Sequence, residues 1–172
     1  MSPSPNSMPS APCPLRILFY APFKPLGHVN PSGDAVTAAG IYNYLTRQGH
    51  EVLPASTLRS RWIYWRPWLW PQLFWERQRI SRQLASDNID IWFTYHTYYK
   101  APDLMGPWIC RILGIKYFIF QGIYSTKRKR RLKTILGFYL NRAALIRADH
   151  VFTNNLSDLK NLDAGSHFDN TY

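Results

Sequence analysis

The 172-residue chain carries 21 Lys and Arg against 10 Asp and Glu, a formal net charge of +11, and is 46% hydrophobic. That length supports one domain with a sizeable core and excludes two complete α/β nucleotide-binding domains. The charge draws anionic partners such as phosphate esters, anionic lipid or nucleic acid without choosing among them, while Cys13 and Cys110 make neither a metal-ligand spacing nor a disulfide framework, which fits a reducing, cytoplasmic setting.

Residues 1–14, MSPSPNSMPSAPCP, lack the basic and apolar regions of a secretory signal and read as a disordered Pro/Ser-rich tail. Leu15 to Tyr20 is a near-continuous apolar run, as expected of a parallel strand buried on both faces, and Pro22, Pro25 and Gly27 end it. Pro31, Ser32, Gly33 and Asp34 then lead into a predicted helix, Ala35 to Arg47, with Val36, Ala39, Ile41 and Leu45 on one side and Gly49 as its stop. A second strand follows to Ala55. Strand, loop and helix N-terminus together present free backbone N–H groups, a ready place for phosphate.

From Ser56 to Trp75 five tryptophans alternate with Arg59, Arg61 and Arg66. Arg66, Pro67 and Pro71 break the apolar run well short of the roughly 20 residues a spanning helix needs. The pattern then predicts a helix from Gln72 to Ser86, a strand from Ile89 to Thr94, a helix from Leu104 to Leu113 closed by Gly114, and a strand from Lys116 to Phe120. A polar break at Gln121, Gly122 and Ser125 precedes a long amphipathic helix from about Arg130 to Arg147, a short strand at Val151 to Thr153 and a terminal helix at Leu156 to Leu162. Residues 163–172 read as a tail.

Strands alternating with helices predict an α/β fold, a Rossmann-like parallel sheet flanked by helices and spanning residues 15–162. Ligands in such sheets bind beyond the carboxyl ends of the strands, which directs attention to Gly33, His96 and Gln121. The Ser32–Gly33–Asp34 loop reads either as a phosphate cradle or as an ordinary helix cap. His96 reads either as a group that orients or deprotonates a hydroxyl or as a structural histidine among aromatics. Lys127, Arg128, Lys129, Arg130 and Arg131, followed by Lys133, place cations where a helix dipole disfavours them, so an anion would relieve the site; a solvated basic loop is the alternative. Trp62, Trp65, Arg66 and Trp68 suit a membrane interface; the alternative is a packed sheet edge or an acceptor-binding lid.

In order and spacing these segments resemble the N-terminal, acceptor-side domain of GT-B glycosyltransferases, in particular glycosyltransferase family four (group 1-like). Gly49, His50, Glu51 and Val52 match the family's turn into the second strand; Asp90 to His96 resemble its later strand ending in a polar residue; Ala148 to Asn154 resemble its alanine, aspartate and apolar-strand segment. The resemblance implies transfer of a sugar from a nucleotide-sugar, the donor substrate, to a saccharide or lipid-linked acceptor, with no metal or other cofactor. It implies a second, C-terminal donor-binding domain, absent from these 172 residues, so the chain alone is expected to turn over little. It implies contacts from the Ser32–Asp34 loop and His96, and peripheral contact with the inner face of a membrane. Where the family commonly has a histidine after the next strand this chain has Gln121, which hydrogen-bonds but is no base near pH 7. The contrasting expectation is a non-catalytic basic module that binds membrane or nucleic acid; no nucleic-acid-binding signature accompanies the basic run, so nucleic acid is the less favoured partner.

Overall fold

The computed structural model describes residues 13–27, 32–84 and 87–165. Pro31, the end of the Gln72–Ser86 helix, nearly all of the N-terminal tail and residues 166–172 lie outside the described residues. The chain forms β1 (Arg16–Tyr20), α1 (Gly33–Arg47), β2 (Glu51–Pro54), α2 (Trp70–Gln83), β3 (Ile91–Thr97), α3 (Gly106–Leu113), β4 (Lys116–Gly122), α4 (Leu132–Arg147), β5 (His150–Phe152) and α5 (Leu156–Gly165). Every strand pairing is parallel, in the order β2-β1-β3-β4-β5. This is a Rossmann-like α/β sheet. The connection out of β1 goes to one side and the connection out of β2 returns past β1 to the other, so the topological switch point lies between β1 and β3.

The apolar run of β1 is buried on both faces because α/β crossovers cover both. Leu18 and Tyr20 join Trp92, Tyr117, Ile119, Ile109 and Leu145 in one core, while Ile17 and Phe19 join Ala38, Val52 and Tyr95 in another. At the centre of the first core Asp103 accepts hydrogen bonds from the Trp92 indole, the Thr94 hydroxyl and the Tyr117 hydroxyl on one oxygen and from the Met105 and Gly106 amides on the other. This carboxylate starts α3. Burial, and then the Asp103 charge, pushes the Tyr117 phenol far above its ordinary pKa.

Three regions differ from the sequence expectation in ways that bear on the site. β3 starts two residues later than expected, at Ile91, and runs on to Thr97; β4 runs on to Gly122, so the two strands pair beyond the predicted ends. The Trp-rich segment before α2 folds as two 3₁₀ turns, Ile63–Trp65 and Pro67–Leu69, since Pro67 and Pro71 fit only first-turn positions. The basic run forms its own 3₁₀ helix, Thr126–Arg130, and α4 begins only at Leu132. Elsewhere the shifts are small. α1 starts at Gly33, α2 at Trp70, α3 at Gly106 and β5 at His150, and α5 extends to Gly165.

Candidate functional site

Ser32 is the N-cap of α1, its hydroxyl accepting from the Ala35 amide at 3.4 Å, so the capping expectation for this residue describes its geometry. Gly33 opens the helix with open space beside its Cα. Asp34 follows, and its carboxylate reaches across the switch point to His96 on β3, with Oδ1 and Nδ1 3.1 Å apart. Two residues 62 positions apart thereby meet at the crevice where such sheets hold ligands.

The pair has a defined polarity. A carboxylate accepts, so Nδ1 carries the proton and Nε2 carries the lone pair. Nε2 is buried and has no hydrogen-bond partner among the described residues. Burial lowers the His96 pKa from its ordinary value against the opposing pull of the Asp34 charge, which keeps the imidazole neutral near pH 7. A neutral imidazole aligned by a carboxylate, with an unused acceptor nitrogen, is equipped to take a proton from a hydroxyl.

The backbone at this position is strained. His96 has φ 59° and Gln121 has φ 62°, both in the left-handed region that side chains other than glycine's rarely occupy. Tyr95 pairs with Phe120 and Thr97 with Gly122, leaving His96 and Gln121 as matching unpaired steps on adjacent strands. The expectation that both lie at or after strand ends is therefore corrected. Each sits one residue inside its strand, and the paired irregularity turns both out of the ladder. Such strain persists where surrounding structure enforces it, and it gathers at ligand sites.

Rings and cations surround the pair. The His96 imidazole stacks on Tyr98 at 4.9 Å, Tyr98 meets Tyr99 at 5.6 Å, and Tyr99 meets Trp62 at 6.1 Å. Phe23 packs near His96 and carries the guanidinium groups of Arg59 and Arg61 over its ring, each at 5.6 Å. Burial first, and then the charges of Arg61 and Arg66, lowers the Arg59 pKa. An anion at this rim would relieve the repulsion. Burial pushes the Tyr98 phenol up to about 12, so it stays a neutral hydroxyl.

The other sequence candidates divide. Trp62 is packed, held at φ 56° with its amide donating to the Lys100 carbonyl, whereas Trp65 and Trp68 are exposed beside Arg66. Of the basic run, Arg128 turns inward over Tyr99 at 4.6 Å, while Lys127, Lys129, Arg130 and Arg131 face outward. Among the described residues no group of three or more His, Cys, Asp or Glu is placed to hold a metal ion, and no helix is long and apolar enough to cross a membrane.

Sequence reasoning selected Asp34 and His96 separately and missed Phe23, Tyr98, Arg59 and Arg61 as their neighbours. The Tyr-His-Thr-Tyr-Tyr cluster around His96 was the available signal. The chain matches no protein-family model and no curated protein. Its function therefore rests on what this crevice can do.

Proposed function

We propose that the chain is the acceptor-binding half of a glycosyltransferase, in which the His96–Asp34 pair receives the hydroxyl of a saccharide or lipid-linked acceptor. The observation that carries this reading is the His96 Nε2, buried, without a hydrogen-bond partner among the described residues, on a neutral ring aligned by Asp34 at the β1/β3 switch point. In the reaction the acceptor oxygen bonds to the donor's anomeric carbon, the bond from that carbon to the nucleoside diphosphate breaks, and Nε2 takes the hydroxyl proton. The crowded Arg59 and Arg61 at the rim favour the departing diphosphate. Tyr98 stacks on the imidazole and, with Asp34, helps hold its orientation. The donor is a nucleotide-sugar held mainly by a second domain, as in the GT-B enzymes that the sequence resembles.

The test is an NMR titration of the His96 ring signals with a panel of saccharides, followed by turnover assays with nucleotide-sugars. Saccharide should shift the His96 signals of the wild type, and the His96→Gln chain should bind the same saccharide more weakly. Turnover should remain negligible until a donor-binding domain is supplied. A His96 ring that responds to no saccharide, or transfer by the chain alone that His96→Gln leaves intact, would refute the reading.

A further inference from the structure

Two segments that lie far apart in sequence build one surface. The Trp65 indole donates to the Lys133 carbonyl at 3.0 Å, tying the 3₁₀ turns before α2 to the first turn of α4. Lys133 lies over the Trp62 ring at 5.8 Å. Between them opens a groove of about 560 Å³ lined by Trp62, Trp65, Arg66, Leu132 and Lys133. Its lining combines two indoles and a leucine with two cations.

The surroundings extend both properties. Leu132 is 86% exposed and Trp68 69% exposed, values hard to explain for large apolar side chains in water. Leu136, one turn along α4, is exposed on the same side as Leu132. Immediately before Leu132 stand the outward-facing Lys127, Lys129, Arg130 and Arg131, held against α4 by the Thr134 hydroxyl, which donates to the Arg128 carbonyl at 2.7 Å. Between positions 52 and 75 and between 104 and 148 the sequence holds no Asp or Glu, so both segments that build the surface are free of carboxylates.

We propose that the Trp62–Trp68 turns and the first turn of α4 form a single docking surface for an anionic phospholipid bilayer. Indoles settle at headgroup depth, the leucines and the groove take apolar chain, and Arg66, Lys133 and the basic turn meet lipid phosphate. The choice of occupant follows from the aliphatic component. Nucleic acid would use the cations and the indole faces but gives Leu132 and Leu136 nothing to do. A protein partner would have to be both strongly acidic and apolar across the same patch. The single sign of charge and the mixed Trp and Leu content together match a leaflet of anionic lipid.

Vesicle binding needs neither donor nor acceptor, so its outcome is independent of sugar transfer. The 172-residue chain would be floated with vesicles of phosphatidylcholine alone and of equal parts phosphatidylcholine and phosphatidylglycerol. Binding to the mixed vesicles should be at least about tenfold tighter and should fall with added salt. Replacing Lys127, Lys129 and Arg131 by Gln should weaken it on the order of 100-fold, since each cation near an anionic leaflet contributes about fivefold. Leu132→Glu is the decisive variant, because a carboxylate at the first position of α4 favours the helix dipole yet opposes the bilayer. Its thermal stability should hold or rise while vesicle binding is lost. Brominated lipid should quench the tryptophan emission of the wild type and not that of Leu132→Glu. Equal binding to both vesicle types, undiminished binding by Leu132→Glu, or single-stranded RNA bound more tightly than the mixed vesicles would overturn the proposal.

Discussion

Gly137 on α4 offers a quantitative check on how the site's surroundings are held. A Cβ at this position would stand 2.1 Å from the Tyr99 carbonyl oxygen and 2.5 Å from the Tyr64 hydroxyl, which itself donates to that carbonyl at 3.0 Å. To restore van der Waals distance, α4 and the Tyr99 turn must separate by more than about 1 Å. Overpacking of this kind costs about 1–3 kcal/mol and loss of the Tyr64 hydrogen bond about 1 kcal/mol, while alanine in a helix interior gains at most about 1 kcal/mol over glycine. Gly137→Ala should therefore destabilise the fold by about 2 kcal/mol and lower Tm by about 4–8 °C. Gly40 on α1 is the internal control, since a Cβ there meets nothing within 4 Å. Gly40→Ala should gain about 0.5–1 kcal/mol. Urea denaturation with an unchanged slope would read both substitutions. A Gly137→Ala protein as stable as the wild type, or two substitutions that shift stability in the same direction, would refute this close approach of α4 to the Tyr99 turn.

Because burial holds the His96 pKa below its unfolded value of about 6.5, the unfolded chain takes up the proton first as pH falls; the stability linked to His96 is present above about pH 6.5 and is lost as pH drops toward the folded-state value. Urea midpoints at neutral and mildly acidic pH should fall further for the wild type than for His96→Gln, and equal falls would contradict this; in Asp34→Asn the His96 ring, titrated by NMR, should protonate at still lower pH because the charge that raises its pKa is gone. Asp103→Ala strands several buried donors, among them the Trp92 indole and the Gly106 amide, and should cost at least about 3 kcal/mol by chemical denaturation, or soluble expression altogether; a variant as stable as the wild type would refute the role given to Asp103. A thiol reagent should modify only Cys13 in the native protein, since Cys110 is buried with its pKa pushed up by desolvation, and should modify both in urea. Rapid native labelling of Cys110 would count against that packing.

Much of the scaffold was legible because its causes are local. The β1 run, the Ser32 cap and the glycine ends of α1 and α3 follow from apolar patterning and turn chemistry over a few residues; Gly114 takes the left-handed conformation, at φ 66°, that its place after α3 predicts. The site was legible only as parts. His96 and Gln121 looked like strand-end residues because pattern reading stops where alternation stops, whereas the pairing of β3 with β4 carries both strands on by mutual hydrogen bonding. Nor does any local signal announce a left-handed histidine or glutamine; the two positive-φ residues are skipped together in the pairing of β3 with β4, a feature of the sheet and not of either segment alone. The Trp-Arg stretch and the basic run were both evident in the sequence. Their union through Trp65 and Lys133, 68 positions apart, was not.

The sequence by itself thus determined the succession of strands and helices, the strong positive charge and the residue types available for chemistry, because these depend on side-chain periodicity and composition along a short stretch of chain. Only the tertiary structure decided that Asp34 aligns His96 and that Nε2 has no hydrogen-bond partner among the described residues. It alone decided that Trp65 and Leu132 share one groove. Each of these outcomes depends on the parallel order of the strands and on where the crossover helices dock, which are set by burial across the whole sheet rather than by any neighbouring residue.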